Sequence, residues 1–153
     1  MLKKLMATRN DAAFTVLRVL LAVVFFPHGA QKLLGWFGGG GAAGTIAFFQ
    51  QTWGIPVYLT VLVIIAEFVG AFGLAAGFLT RVWAAAIAID MVCAVYLNHL
   101  GNGFFMNWGG SQKGEGFEFH ILAVAIAVAL VIGGGGAWSA DRMLTARGVS
   151  PPS

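Results

Sequence analysis

Apolar residues in this chain gather into four long stretches, at about 14–35, 56–78, 82–100 and 117–135, separated by polar or glycine-rich segments. Each approaches the roughly 20 residues with which an α-helix crosses a bilayer core. The pattern predicts four transmembrane helices. Only Leu79-Thr80-Arg81 separates the second stretch from the third, which forces an antiparallel hairpin, whereas the first and third connections run about 15–20 residues. The expected architecture is an all-α polytopic membrane protein: one domain over 1–153, an antiparallel four-helix bundle, and a flexible C-terminal tail at 143–153.

Composition strengthens the lipid assignment. Of 153 residues, 59% are hydrophobic and only 10% charged, with a mean hydropathy of +0.84. A water-soluble globule carries about 25% charged residues, so this chain lacks the polar coat that water requires. Intrinsic disorder is excluded on the same grounds. The single cysteine, Cys93, rules out an intrachain disulfide and a Cys-x-x-Cys redox pair.

The net charge of +3 acquires meaning from its placement. Lys3, Lys4, Arg9, Arg18, Arg81, Arg142 and Arg147 fall on one side of the expected bundle, and Lys32 and Lys113 on the other. By the positive-inside rule both termini and the hairpin turn face the cytoplasm. The basic character is then a topology signal, and nucleic acid is set aside as a partner. The basic start, MLKKLMATRNDAAF, reads as a retained anchor, because the apolar run after it passes signal-peptide length and contains Arg18.

Helix contact in lipid relies on small residues. Ala66, Gly70, Gly73 and Gly77 on the second helix, and Ala125, Ala129 and Gly133 on the fourth, are the expected packing faces. The glycine runs at 38–41 and 133–136 lack the Gly-Lys-Ser/Thr of a phosphate loop and read as flexible helix exits. Between the first two spans, AAGTIAFFQQTWGIP suits a short interfacial helix that could cap a cavity between helix ends.

Ionisable groups inside spans cost several kcal/mol unless paired or hydrated. Arg18, Glu67, Arg81 and Asp90 occupy the cytoplasmic half and are expected to form an ion network; a structural brace and a proton relay both fit it. On the outer half, Pro27 frees a backbone carbonyl and kinks the first helix, and Gly29 leaves room for close approach. His28 and Lys32 are i,i+4 neighbours on one face. An imidazole one turn from an ammonium suits an anionic or carbonyl-bearing ligand; a hydrogen-bonded histidine and a snorkelling lysine are the alternative. His120, beside Glu118, and His99 lie nearer the outer boundary. With no His-x-x-x-His spacing, no metal site is assigned, and metal or haem ranks behind an organic ligand.

The segments LRVLLAVVFFPHGAQKLLGWFGG, GIP, VIIAEFVGAFGLAAGFLTR, AIDM and WSADRML, together with Glu118, resemble the DoxX family of small bacterial membrane proteins over nearly the whole chain. The resemblance implies a four-helix protein of the bacterial cytoplasmic (inner) membrane. Named members include a small subunit of thiosulfate:quinone oxidoreductase and a component of a membrane-associated oxidoreductase complex. Carried over residue by residue, it points to Arg18, His28, Gly29, Lys32, Glu67 and Arg81. Lacking redox cysteines, this chain has no thiol chemistry of its own for sulfur oxidation.

The leading expectation is therefore a membrane subunit of an oxidoreductase with a quinone-like ligand near the outer face. His28, Lys32 and Glu67 carry the chemistry, and Arg18, His28, Gly29, Lys32, Glu118 and His120 form the ligand site. A quinone needs an apolar slot with donors at its carbonyls. A small-solute or proton transporter or channel is an alternative, as is a membrane anchor or assembly subunit for a soluble partner. A soluble oxidoreductase subunit and a homo-oligomer are compatible with each.

Overall fold

A computed structural model describes residues 2–146, which form helices and connecting turns without a strand. The order is α1 (Leu2–Leu5), α2 (Ala12–Leu34), α3 (Gly41–Trp53), α4 (Val57–Ala76), α5 (Thr80–Ala94), α6 (Glu118–Gly133) and α7 (Ala140–Ala146). Beyond Ala94, α5 continues through a π-helical turn, Val95–His99, and a 3-10 turn, Leu100–Asn102. Asp11 caps α2 by accepting the Ala13 N–H at 2.8 Å. Left-handed Gly35 and Gly77 end α2 and α4, as the Cβ-free residue commonly does.

Three helices are long and apolar enough to cross a membrane: Ala12–Leu34, Val57–Ala76 and Thr80–Asn102. The fourth apolar stretch forms a 16-residue helix, α6, about 24 Å long at 1.5 Å per residue. Segment 143–146, expected to begin a flexible tail, belongs to α7, which folds back onto the α4–α5 turn. The remainder of that tail, with Arg147, lies outside the described residues.

Helix α2 packs chiefly on α4, and α5 packs on α6 and α4. The core between them is built from Leu21, Ala22, Phe25, Leu74, Ile87, Met91, Ala127 and Leu130, among others. At the α2–α4 crossing Gly29 sits so close to its neighbour that a Cβ there would lie 2.5 Å from the Phe68 backbone nitrogen. This contact sets the register: it brings the last turns of α2 level with the middle of α4.

Two packing expectations need correction. On α6 the buried positions are His120, Ala123, Ala127, Leu130 and Gly133, whereas Ala125 is exposed and Ala129 half-buried. The apolar side chains around the whole helix hid which stripe faces inward. The glycine run at 133–136 is buried rather than a flexible exit; a Cβ on left-handed Gly136 would lie 2.6 Å from the Asp11 carbonyl oxygen. It forms a tight seat for the start of α2. On α4, Gly70 and Gly73 receive the indole of Trp83 from α5.

Candidate functional site

The expected network of Arg18, Glu67, Arg81 and Asp90 divides into two separate clusters. Arg18, 3% exposed, donates to the carbonyls of Leu74 (2.9 Å), Ala75, Gly135 (2.8 Å) and Trp138 (3.2 Å). Arg81 donates to Ala7 O at 2.9 Å and Ile132 O at 3.1 Å. Both guanidiniums thus satisfy carbonyls at helix C-terminal ends, where a cation is favoured, and Arg18 also those of the α6–α7 connection. Leu74 is seven residues from Glu67 along α4, about 10 Å, so Arg18 belongs to a different level of the bundle from Glu67. Arg18 is a clamp and lines neither cavity described below.

Asp141 completes this end of the molecule and was not singled out by the sequence. Its carboxylate, 1% exposed, accepts the N–H groups of Leu79 at 2.7 Å and Thr80 at 2.9 Å. Leu79 has φ of 50°, a left-handed conformation that costs a non-glycine residue roughly 1–2 kcal/mol. Asp141 stabilises that turn and caps α5 from 61 residues beyond Thr80 in sequence.

The second cluster is formed by Lys32, Glu67 and Asp90. Lys32 Nζ lies 2.6 Å from Glu67 Oε2, the one salt bridge among the described residues. Thr45 of α3 donates to the Lys32 carbonyl at 3.1 Å and ties α3 over this end of α2. Asp90 of α5 comes within hydrogen-bonding reach of Glu67, and its Oδ2 has no partner. Two buried carboxyls therefore lie side by side, and only Glu67 is paired with the ammonium. The antiparallel α2–α4 register explains why Glu67, expected to pair with Arg18, meets Lys32 instead.

These three residues stand at the inner end of a cavity of about 990 Å³ enclosed by α2, α3, α4 and α5. Phe48, Phe49 and Trp53 of α3 roof it, and Trp83 forms part of its wall. Leu62 and Ile89, on its rim, are more than half exposed, so the cavity opens sideways toward the surroundings of α4 and α5. The capping segment anticipated at 42–56 is helix α3.

A smaller cavity of about 330 Å³ lies on the other side of Glu67. Glu67, Met91, Ala94 and His99 line both spaces and form a shared wall. His28 lines only the smaller one, so its i,i+4 relation to Lys32 does not place both groups in one space. His120 also lines it, with its ring centroid 4.1 Å from that of His99. His99 Nδ1 is 2.9 Å from Glu115 O. A carbonyl can only accept, so this nitrogen carries the proton.

Two residues expected at the ligand have other tasks. Gly29 is the buried α2–α4 contact and positions Lys32 over Glu67. Glu118 accepts the Met106 N–H at 2.9 Å and braces the α5–α6 loop. Among the described residues, no three His, Cys, Asp or Glu side chains come together to hold a metal ion.

The arrangement defines a multi-pass helical membrane protein with a laterally open apolar cavity and a charged inner end. The DoxX family model matches residues 13–100, more than half of the chain, and the chain belongs to the DoxX family. It is similar to the inner membrane protein YqjF of Escherichia coli (strain K12), with 29% identity over 135 residues, 88% of this chain and 94% of the relative. It is also similar to the putative oxidoreductase CatD of Bacillus subtilis (strain 168), with 27% identity over 115 residues, 75% of each chain. No solved structure matches. Family, relatives and apolar helices together make this a multi-pass inner-membrane protein.

Proposed function

We propose that this chain is the membrane subunit of an oxidoreductase system and that its larger cavity holds a quinone-like ligand. The observation that carries the reading is an apolar cavity, open sideways, whose buried charges gather at Lys32, Glu67 and Asp90. A ligand with a polar aromatic head and an apolar tail fits that distribution: head at the charged end, tail between α4 and α5 in lipid. Lys32 stabilises negative charge developing on a quinone oxygen, Glu67 exchanges the proton, and His28 backs Glu67 from the smaller cavity. The relative named a putative oxidoreductase supports this class of function. A soluble partner exchanges electrons with the bound ligand.

In the same reading α6 serves as the fourth span, and the bias of Lys and Arg puts both termini in the cytoplasm. The test is fluorescence titration of the protein in lipid nanodiscs with a short-chain quinone, because Trp53 and Trp83 line the cavity. Saturable quenching is expected, with Kd raised about tenfold in Lys32→Met through loss of a charge-assisted hydrogen bond. Quenching that never saturates, or is unchanged in Lys32→Met, overturns the proposal.

A further inference from the structure

We infer that the smaller cavity is a hydrated proton passage, linking the aqueous side that carries the 103–117 loop to the carboxyl of Glu67. The two cavities that meet at Glu67 differ in how many titratable side chains flank them. The larger is walled mainly by apolar side chains, whereas five of the ten residues around the smaller one are titratable: His28, Glu67, His99, Glu115 and His120. His120 is 6% exposed, and its Nδ1 has no partner in the protein. A buried polar nitrogen without a hydrogen bond costs several kcal/mol, and the 330 Å³ space beside it, with four other titratable side chains on its wall, is ample for the waters that would satisfy it. Glu115, in the loop between α5 and α6, is exposed, so the space reaches the surface on that side.

The π turn at Val95–His99 is what places His99 on this wall; such irregularities in helices are frequent at functional sites. With Nδ1–H donating to Glu115 O, the neutral ring presents Nε2 as an acceptor. The groups facing Glu67 are then Lys32 and His28 from α2, Asp90 from α5, His99 from the π turn, and beyond them His120 from α6 and Glu115 from the loop. A proton passes from bulk water through cavity waters and imidazoles to a Glu67 oxygen and returns by the same route. Only N–H and O–H bonds form and break, and no electron moves. The passage rests on the quinone reading only for the proton's destination; its geometry is independent of the ligand.

The test uses thiol accessibility in oriented membrane vesicles. Cys93→Ala removes the native thiol, and His28→Cys or Val69→Cys adds one. Val69 is a depth-matched control, because it neighbours Phe68, which touches Gly29, and is exposed on the outer surface of α4. A charged, membrane-impermeant thiol reagent is expected to label His28→Cys at least about tenfold faster than Val69→Cys, since only a hydrated thiol ionises and reacts readily. Labelling should come only from the loop side. Equal rates, or labelling from the opposite side, overturn the passage.

Hydroxyl-radical footprinting of the unmodified chain gives a second readout. Met91, on the shared wall, and Met6, which lines neither cavity, are each 6% exposed. Oxidation of Met91 several-fold above Met6 is expected, and oxidation at or below Met6 overturns the inference. Loss of quinone binding with this labelling pattern intact refutes the proposed function alone; the reverse outcome refutes the passage alone.

Discussion

Replacing Lys32 by Met leaves the Glu67 carboxylate, 3% exposed, beside Asp90 without its only cation. Removing one partner of a buried pair costs about 3–5 kcal/mol, because the remaining charge has neither water nor a counterion. The Lys32 side chain is 23% exposed, so some solvent already reaches this end of the pair and the expected loss is reduced to about 2–3 kcal/mol. That corresponds to about a 30- to 150-fold shift in the unfolding equilibrium. The assay is SDS-induced unfolding of the purified protein in mixed micelles, followed by helical circular dichroism. Glu67→Gln should cost less, about 1–2 kcal/mol, because the carboxamide still accepts from Lys32 and the freed ammonium can extend toward the headgroups. The double variant Lys32→Met with Glu67→Gln should be no less stable than Lys32→Met alone. A Lys32→Met loss below about 0.5 kcal/mol, or one smaller than that of Glu67→Gln, would refute the claim that Glu67 is a buried charge held by Lys32.

Three further variants probe the frame around the site. Gly29→Ala should destabilise by about 1–3 kcal/mol in the same SDS titration and weaken quinone quenching, since the added methyl forces α2 from the Phe68 backbone and carries Lys32 with it. Asp141→Ala should cost about 2–3 kcal/mol through loss of two hydrogen bonds to a charged acceptor, and should raise amide exchange at Leu79 and Thr80 while leaving quinone affinity unchanged. Arg18→Met should cost about 3–5 kcal/mol through four unsatisfied carbonyl contacts, again without altering quinone affinity at the far end of the bundle; a shift in Kd would contradict the separation of the two clusters.

Hydropathy made the helices legible because lipid leaves little choice: the backbone must satisfy itself within each span. The apolar stretch at 82–100 appears as α5 with its irregular end, and the segment before the second span appears as helix α3 over the cavity. What one-dimensional spacing could not show was register between helices. Counting residues from the cytoplasmic boundary leaves Arg18 near enough to extend inward to Glu67, but the Gly29 contact sets α2 against α4 so that Lys32 reaches Glu67 instead. Inward facing on α6 was equally hidden, since every side of that helix is apolar. Asp141 lies inside the WSADRML segment, but its role was not legible because its work is done on backbone N–H groups of a distant turn. Spacing alone already grouped Glu67 with Asp90 in one network; what it missed is that Lys32, not Arg18, supplies the cation.

The most direct measurement of the central claim is photolabelling with an azidoquinone in native membranes, followed by peptide mapping. The account predicts saturable labelling of α3 and of the cavity-lining parts of α4 and α5, around Phe48, Trp53 and Trp83, competed away by unlabelled quinone and weakened in Lys32→Met. Labelling that resists competition, or that falls on the exposed face of α6 around Leu122 and Ile132 instead, would contradict it.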